Sequence, residues 1–250
     1  MSDVGPATPR GDGGTPHRVE VGVIGGVGPA ATVCFLDLVV RRTAAERDQD
    51  HVDLVVLQHA GIPDRTAYIL GASDEDPGPV MAADARRLER LGVGFVVVPC
   101  NTAHHFTDEV AAAVDVPVLS IVDETTDEVA ARPGVARVGV LATSGTLAAQ
   151  VYQRALEARG LTAVVPDDAD QDVVMGIIYD QVKAGRPADV DALHAVADRL
   201  RARGADVVVL GCTELSVVAA EHGLLADARY VDSLDVLARR TVERAGYPLR

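Results

Sequence analysis

Val96-Val97-Val98-Pro99-Cys100-Asn101-Thr102-Ala103-His104 and, about half a protein later, Val207-Val208-Val209-Leu210-Gly211-Cys212-Thr213-Glu214-Leu215 decide the reading of this chain. In each, a β-branched run that reads as a buried strand is broken by Pro or Gly. A cysteine closes it, followed by amide or hydroxyl residues. One device is used twice: a strand tip, a tight turn, and a helix beginning at the sulfur. Backbone N–H groups and the helix dipole at such a start stabilise negative charge, so each thiol is placed to become a thiolate. Two thiols facing each other across a cleft can remove a proton from one side of a carbon and return one to the other. That is the chemistry a racemase or epimerase needs.

Working outward, the same alternation fills the chain. Val19–Ile24 reads as a strand, ending in Gly25-Gly26-Val27-Gly28-Pro29, and a helix follows from Ala30 to Arg42. Val52–Leu57 is a strand, Gly78–Leu91 a helix after a long polar loop, Phe95–Val98 a strand and Val116–Leu119 another. The pattern restarts after Asp123. Arg137–Leu141 and Leu161–Val165 read as strands around a helix at Gly145–Arg159. Helices at Asp170–Lys183 and Ala188–Arg203, a strand at Val207–Leu210 and a helix at Ser233–Ala245 complete it. Strands alternating with helices predict parallel sheets and an α/β fold. Gly22-Val23-Ile24-Gly25 recurs as Gly139-Val140-Leu141-Ala142, 117 positions later, and Cys100 recurs as Cys212, 112 positions later. Two landmarks at nearly constant offset predict two pseudo-symmetric lobes, each a parallel sheet flanked by helices. Ligands of open α/β sheets bind at the carboxyl ends of strands, which places the active site in the cleft between the lobes. The expected division is a flexible tail at 1–17, a first lobe at 18–122 to which 232–250 returns, and a second lobe at 123–231.

Composition narrows the class. Of 250 residues 48% are hydrophobic and only 3% aromatic, with no Trp, so the cores are packed with Val, Ala and Leu, as buried parallel strands require. Net charge is −14, from 37 acidic and 23 basic residues, a field that repels nucleic acid and anionic membranes. An anionic substrate would need local cations. Cys34, Cys100 and Cys212 are too few and too far apart for a disulfide framework, so a reducing cytoplasm is the simplest setting. The opening residues carry no h-region and the apolar runs fall well short of a membrane span.

Several residues have blander readings. Cys34 sits among Val33, Phe35 and Leu36 in a helix and reads as a small core residue. Two thiols with His104 and His105 but no second histidine cluster do not make a zinc site. Gly26-x-Gly28-x-x-Ala31 fits a dinucleotide fingerprint, which also needs an acidic residue at the next strand tip. That strand ends in Gln58-His59 instead, and Pro29 removes a donor a phosphate would use. The loop reads better as a tight turn that brings bare backbone close to a small substrate. Alone, Arg65 would be a solvated arginine and Lys183 a cation offsetting a helix C-terminus.

The motifs together closely resemble the paired signatures of the aspartate/glutamate racemase superfamily, and more narrowly its aspartate racemase branch. The resemblance rests on five segments in order: Gly25–Thr32, Ile62-Pro63-Asp64-Arg65-Thr66, Pro99–His104, Leu141-Ala142-Thr143-Ser144-Gly145-Thr146 and Gly211-Cys212-Thr213-Glu214-Leu215. Glutamate racemases usually carry His where this chain has Glu214. The resemblance implies a racemase of acidic amino acids working without pyridoxal phosphate, other cofactor or metal, with Cys100 and Cys212 as its two bases. It implies that Arg65 and, through Ile178-Tyr179 and Val182-Lys183-Ala184-Gly185, Lys183 face a substrate carboxylate. Asn101, Thr102, Ala103, Thr143, Thr213 and Glu214 complete the implied substrate site, and a homodimer is the implied assembly. Gln58-His59-Ala60-Gly61 stands where aspartate racemases carry an Asn-Pro-Gln-like stretch, which leaves substrate identity open. The same frame supports maleate cis–trans isomerisation, malonate decarboxylation and hydantoin racemisation. A non-enzymatic small-anion binder is a further alternative.

Overall fold

The computed structural model describes residues 18–250; the tail expected at 1–17 lies outside the described residues. Eight strands form two four-stranded, fully parallel sheets. In the first, β1 (Val21–Gly25), β2 (Leu54–Gln58), β3 (Phe95–Val97) and β4 (Val118–Leu119) lie in the order β2-β1-β3-β4. In the second, β5 (Arg137–Leu141), β6 (Thr162–Val164), β7 (Val207–Leu210) and β8 (Tyr230–Asp232) lie in the order β6-β5-β7-β8. The two orders are the same. The repeat read from sequence extends to register: Gly22 pairs with Val96 in the first sheet, Gly139 with Val208 in the second.

Eleven α-helices connect these strands among the described residues. In the first half they are α1 (Pro29–Arg42), α2 (Arg65–Ile69), α3 (Gly78–Arg90), α4 (Thr107–Ala112) and α5 (Ile121–Ala130). The second half has α6 (Ser144–Ala148), α7 (Val151–Glu157), α8 (Asp168–Met175), α9 (Val190–Ala202), α10 (Thr213–Glu221) and α11 (Ser233–Arg244). None is long and apolar enough to cross a membrane.

Strand side chains alternate between two cores, as period-two geometry demands. Phe95 and Val97 of β3, with Val207 and Val209 of β7, point into one core shared by both lobes and filled by Phe35, Ile121, Tyr152 and Leu237. Val96 of β3 faces an outer core with Met81 and Leu88 of α3. Val208 and Leu210 of β7 face the other outer core, with Leu193 and Leu200 of α9. Gly22 and Gly139 serve the same purpose in each lobe. A Cβ on Gly22 would lie 3.1 Å from Leu88 of α3, and one on Gly139 3.2 Å from Leu200 of α9. A bare backbone lets the covering helix come close.

The sequence reading missed four features. The segment Ile121–Ala130 is a helix, although its Thr and Asp content lowers intrinsic propensity. Ser120 caps it by accepting from the Asp123 amide, and Ile121, Val122, Thr125 and Val129 form its buried stripe. The lobe junction read at 122/123 falls inside this helix. After β8 the chain returns and packs α11 on α1. The helix expected at Gly145–Arg159 is broken at Gln150, whose φ of 55° starts α7 afresh. The long loop holds α2, and β8 was too short to stand out.

Candidate active site

Both cysteines sit at carboxyl ends of corresponding strands, Cys100 after β3 and Cys212 after β7. They line one cleft of about 270 Å³, counting its opening to solvent, together with Asp64, Arg65, Thr66, Asn101, Thr102, Thr143, Tyr179, Lys183, Thr213 and Glu214. All of the expected site residues except Ala103 line it. Ala103 is packed into the first lobe's outer core beside Ile62 and Phe106. Outside lies a wider vestibule, walled by Gly28, Pro29, Ala30, Ile62 and Val182, with Arg65, Lys183 and Glu214 on the border of both spaces.

The two tips are not built alike. Cys212 is the N-cap residue of α10, as expected. Cys100 is instead followed by a 3₁₀ turn, Thr102–Phe106, before α4 begins at Thr107, so no α-helix starts at this sulfur. His104 explains the difference. Its Nε2 accepts from the Ile121 amide at 3.1 Å, which leaves Nδ1–H to donate to the Cys100 carbonyl at 2.8 Å. The ring is buried and neutral: burial drives its pKa down to about 4. His104 thus pins the Cys100 turn to the start of α5.

Cys212 also departs from expectation. Its Sγ donates to Glu214 Oε2 at 3.1 Å. Burial, and then the Glu214 charge, push the thiol well above its ordinary pKa, against the pull of Lys183. The thiolate that a helix N-terminus promised is outweighed there. Cys34 is half-buried against the central core, its pKa driven up to about 12 by burial first and Asp232 second, and takes no part in the cleft.

The cations differ in their partners. Arg65 begins α2, capped by Asp64 through the Ala67 amide at 2.8 Å. Its Nη1 donates to the Ile62 and Pro63 carbonyls at 3.3 and 2.9 Å, while its buried Nε has no partner. An unsatisfied buried donor is costly, and a carboxylate in the cleft would relieve it. Lys183 follows a π-helical turn, Gly176–Val182, its amide donating to the Ile178 carbonyl. Its Nζ lies 3.9 Å from Glu214 Oε1, 4.0 Å from Asp64 Oδ2 and 4.1 Å from the Tyr179 ring centre. Burial works against the ammonium, yet Glu214, Tyr179 and Cys212 outweigh it and raise its pKa.

Hydroxyls and one amide join the lobes behind the sulfurs. Thr102, Thr143 and Thr146 form a buried triangle of hydroxyls 2.9 to 3.0 Å apart. Tyr152 donates to Asn101 Oδ1 at 2.6 Å, and Asn101 Nδ2 donates to Ser233, which donates to the Leu210 carbonyl. The Asn101 amide is therefore tied chiefly to this network. The glycine turn borders the vestibule and also makes room for a neighbour: at Gly28, φ is 103° and a Cβ would lie 2.8 Å from Glu214 Oε1. His59 turns away from the cleft, 2.6 Å from Asp84 of α3. Val27, Asp64, Thr66 and Tyr179 line the cleft without having been singled out, although all four stand inside or beside the motifs quoted above.

The pattern of the Asp/Glu/hydantoin racemase family matches residues 24–241. The chain belongs to that family. It is 30% identical over 228 residues to a broad-specificity amino-acid racemase of Bacillus subtilis, covering 89% of this chain and 96% of that protein. Among solved structures it resembles an aspartate racemase of Picrophilus torridus, with a TM-score of 0.80, 30% identity and coverage of 93% and 96% of the two chains. An aspartate racemase homologue of Pyrococcus horikoshii superposes with a TM-score of 0.72 at 27% identity, covering 90% and 98%.

Proposed function

We propose that this protein interconverts the enantiomers of an amino acid, aspartate or a related acidic one, without pyridoxal phosphate, using Cys100 and Cys212 as paired acid and base. The observation that carries the reading is that two cysteines from corresponding strand tips share one cleft with Arg65, whose buried Nε awaits an acceptor.

The substrate α-carbon lies between the sulfurs. A Cys100 thiolate takes the α-proton, forming S–H as the C–H pair moves to carbon and the adjacent carboxylate. The Cys212 thiol then delivers its proton to the opposite face, and the roles exchange for the other enantiomer. Thr102, Thr143 and Thr213, with backbone N–H groups at the two turns, hold the α-carboxylate and stabilise the charge that develops there. Asn101 fixes the Cys100 turn against the second lobe. Arg65 and Lys183 receive the side-chain carboxylate, supplying the positive field the acidic protein lacks. The reading includes a homodimer in the cytoplasm; light scattering after gel filtration tests the assembly.

Proton NMR in D₂O with L-aspartate, L-glutamate and a panel of neutral amino acids, without added cofactor and with chiral chromatography of the products, tests the reaction. The expected result is loss of an α-proton signal with appearance of the D-enantiomer. No exchange with any of them, together with a covalent cysteine adduct on incubation with maleate, would replace the reading by the sister isomerase.

A further inference from the structure

Glu214 is an acid placed where an anionic substrate would want none. Its carboxylate is buried, accepts from Cys212 Sγ at 3.1 Å through Oε2, and lies 3.9 Å from Lys183 through Oε1. Gly28 leaves the space for Oε1. Glu214 also borders both the inner cleft and the outer vestibule. Nothing comparable attends the other sulfur: the hydrogen bonds of the described residues include none from Cys100 Sγ, and the residue two beyond it is Thr102.

We propose that Glu214 is the proton conduit of Cys212, carrying protons between that buried thiol and water in the vestibule, and that Cys100 has no such conduit. The inference rests on the racemase reading and gives its two bases unequal access to solvent. After turnover in one direction Cys212 carries the proton and Cys100 is the thiolate, or the reverse. Proton release from Cys212 breaks Sγ–H and forms O–H on Glu214 Oε2. The carboxyl then passes that proton to a vestibule water, restoring the carboxylate and leaving the thiolate. Proton uptake is the reverse, and no electron transfer is involved. Lys183 lies 3.9 Å from this carboxylate and 4.0 Å from that of Asp64, to which Tyr179 donates.

The consequence is an exchange asymmetry. In D₂O, the starting enantiomer that Cys212 deprotonates gains solvent deuterium before inversion, because the abstracted proton escapes through Glu214 before it can return. The enantiomer deprotonated by Cys100 returns its own proton. Glu214→Gln keeps the shape and removes the conduit. With L- and D-aspartate, or whichever panel amino acid the wild type racemises, deuterium gain in the recovered Cys212-side enantiomer is expected to fall about 10-fold or more. The other enantiomer should not change. The enantiomer still exchanged by Cys100→Ala identifies the Cys212 side. Iodoacetamide labelling followed by mass spectrometry gives a second readout that needs no turnover. Removing the carboxylate's charge, which holds the thiol pKa up, should speed Cys212 alkylation about 10-fold at fixed pH, with Cys100 as internal control. Equal deuterium gain for both enantiomers in the wild type, or Glu214→Gln slowing both alike, would overturn the conduit. A wild type that racemises nothing would overturn the parent reading instead.

Discussion

The tips of β3 and β7 occupy the same place in two sheets of the same order, and each presents a cysteine to the same cleft. Around the sulfurs the chemistry diverges. Two residues beyond Cys100 stands Thr102, in a neutral hydroxyl triangle; two beyond Cys212 stands Glu214, hydrogen-bonded to the thiol. Four beyond Cys100 stands His104, which ties the turn to α5; four beyond Cys212 stands Ser216, buried with an unpaired hydroxyl. Arg65 has a free buried donor, whereas Lys183, 118 positions later, already faces two carboxylates. A duplicated frame fixes where the sulfurs go, while the residues around each one set how it holds a proton.

The largest expected effect tests whether both halves are needed. Cys100→Ala and Cys212→Ala should each lower racemisation by roughly 10³-fold or more, as loss of a positioned acid or base does, measured by chiral chromatography. Full two-way turnover in either variant would break the pairing. His104 comes next and concerns stability at the first tip alone. Its folded pKa of about 4 lies below the ordinary 6.5, so the folded state prefers the neutral ring. Its contribution is complete above pH 6.5 and is lost as pH falls towards 4, to a total of about 3 kcal/mol. Urea unfolding of wild type and His104→Gln at pH 7.5 and 4.5 should show the variant losing less stability across that interval. An unchanged pH dependence would mean that the ring is not held neutral.

Arg65→Ala should cost about 2 kcal/mol in kcat/KM, the worth of a hydrogen bond to a charged group, and Arg65→Lys should recover only part of it, since an ammonium lacks the Nε donor. Equal activity of the two variants would leave Lys183 as the sole grip on the substrate. The smallest effect belongs to the glycine turn. Gly28→Ala places a Cβ at a φ of 103° and 2.8 Å from Glu214, costing about 1–2 kcal/mol of stability and displacing the carboxylate from Cys212. Differential scanning calorimetry measures the first, and faster Cys212 alkylation the second.

Much of the frame was legible because repetition is visible without coordinates. The glycine pair at 22 and 139 and the cysteine pair at 100 and 212 carried register as well as topology. What stayed hidden was decided by tertiary contacts. The helix at Ile121–Ala130 is made by its buried stripe and the Ser120 cap rather than by propensity. The 3₁₀ turn after Cys100 follows from a histidine clasp between segments 17 residues apart. Most of the cleft lining could be named from motifs, but the environment of Cys212 could not. Sequence spacing puts the sulfur at a helix start; only packing shows that burial and Glu214 overrule the dipole.

The most direct test of the paired-cysteine account is α-proton exchange of L- and D-aspartate in D₂O, followed by proton NMR, with inversion read by chiral chromatography, for the wild type, Cys100→Ala and Cys212→Ala. The account predicts that the wild type inverts both enantiomers. Neither variant should invert: Cys100→Ala should exchange one enantiomer, and Cys212→Ala, whose remaining sulfur lacks a conduit, should exchange only the opposite one and about 10-fold or more slowly. Exchange of the same enantiomer by both variants, or inversion by either, would contradict it.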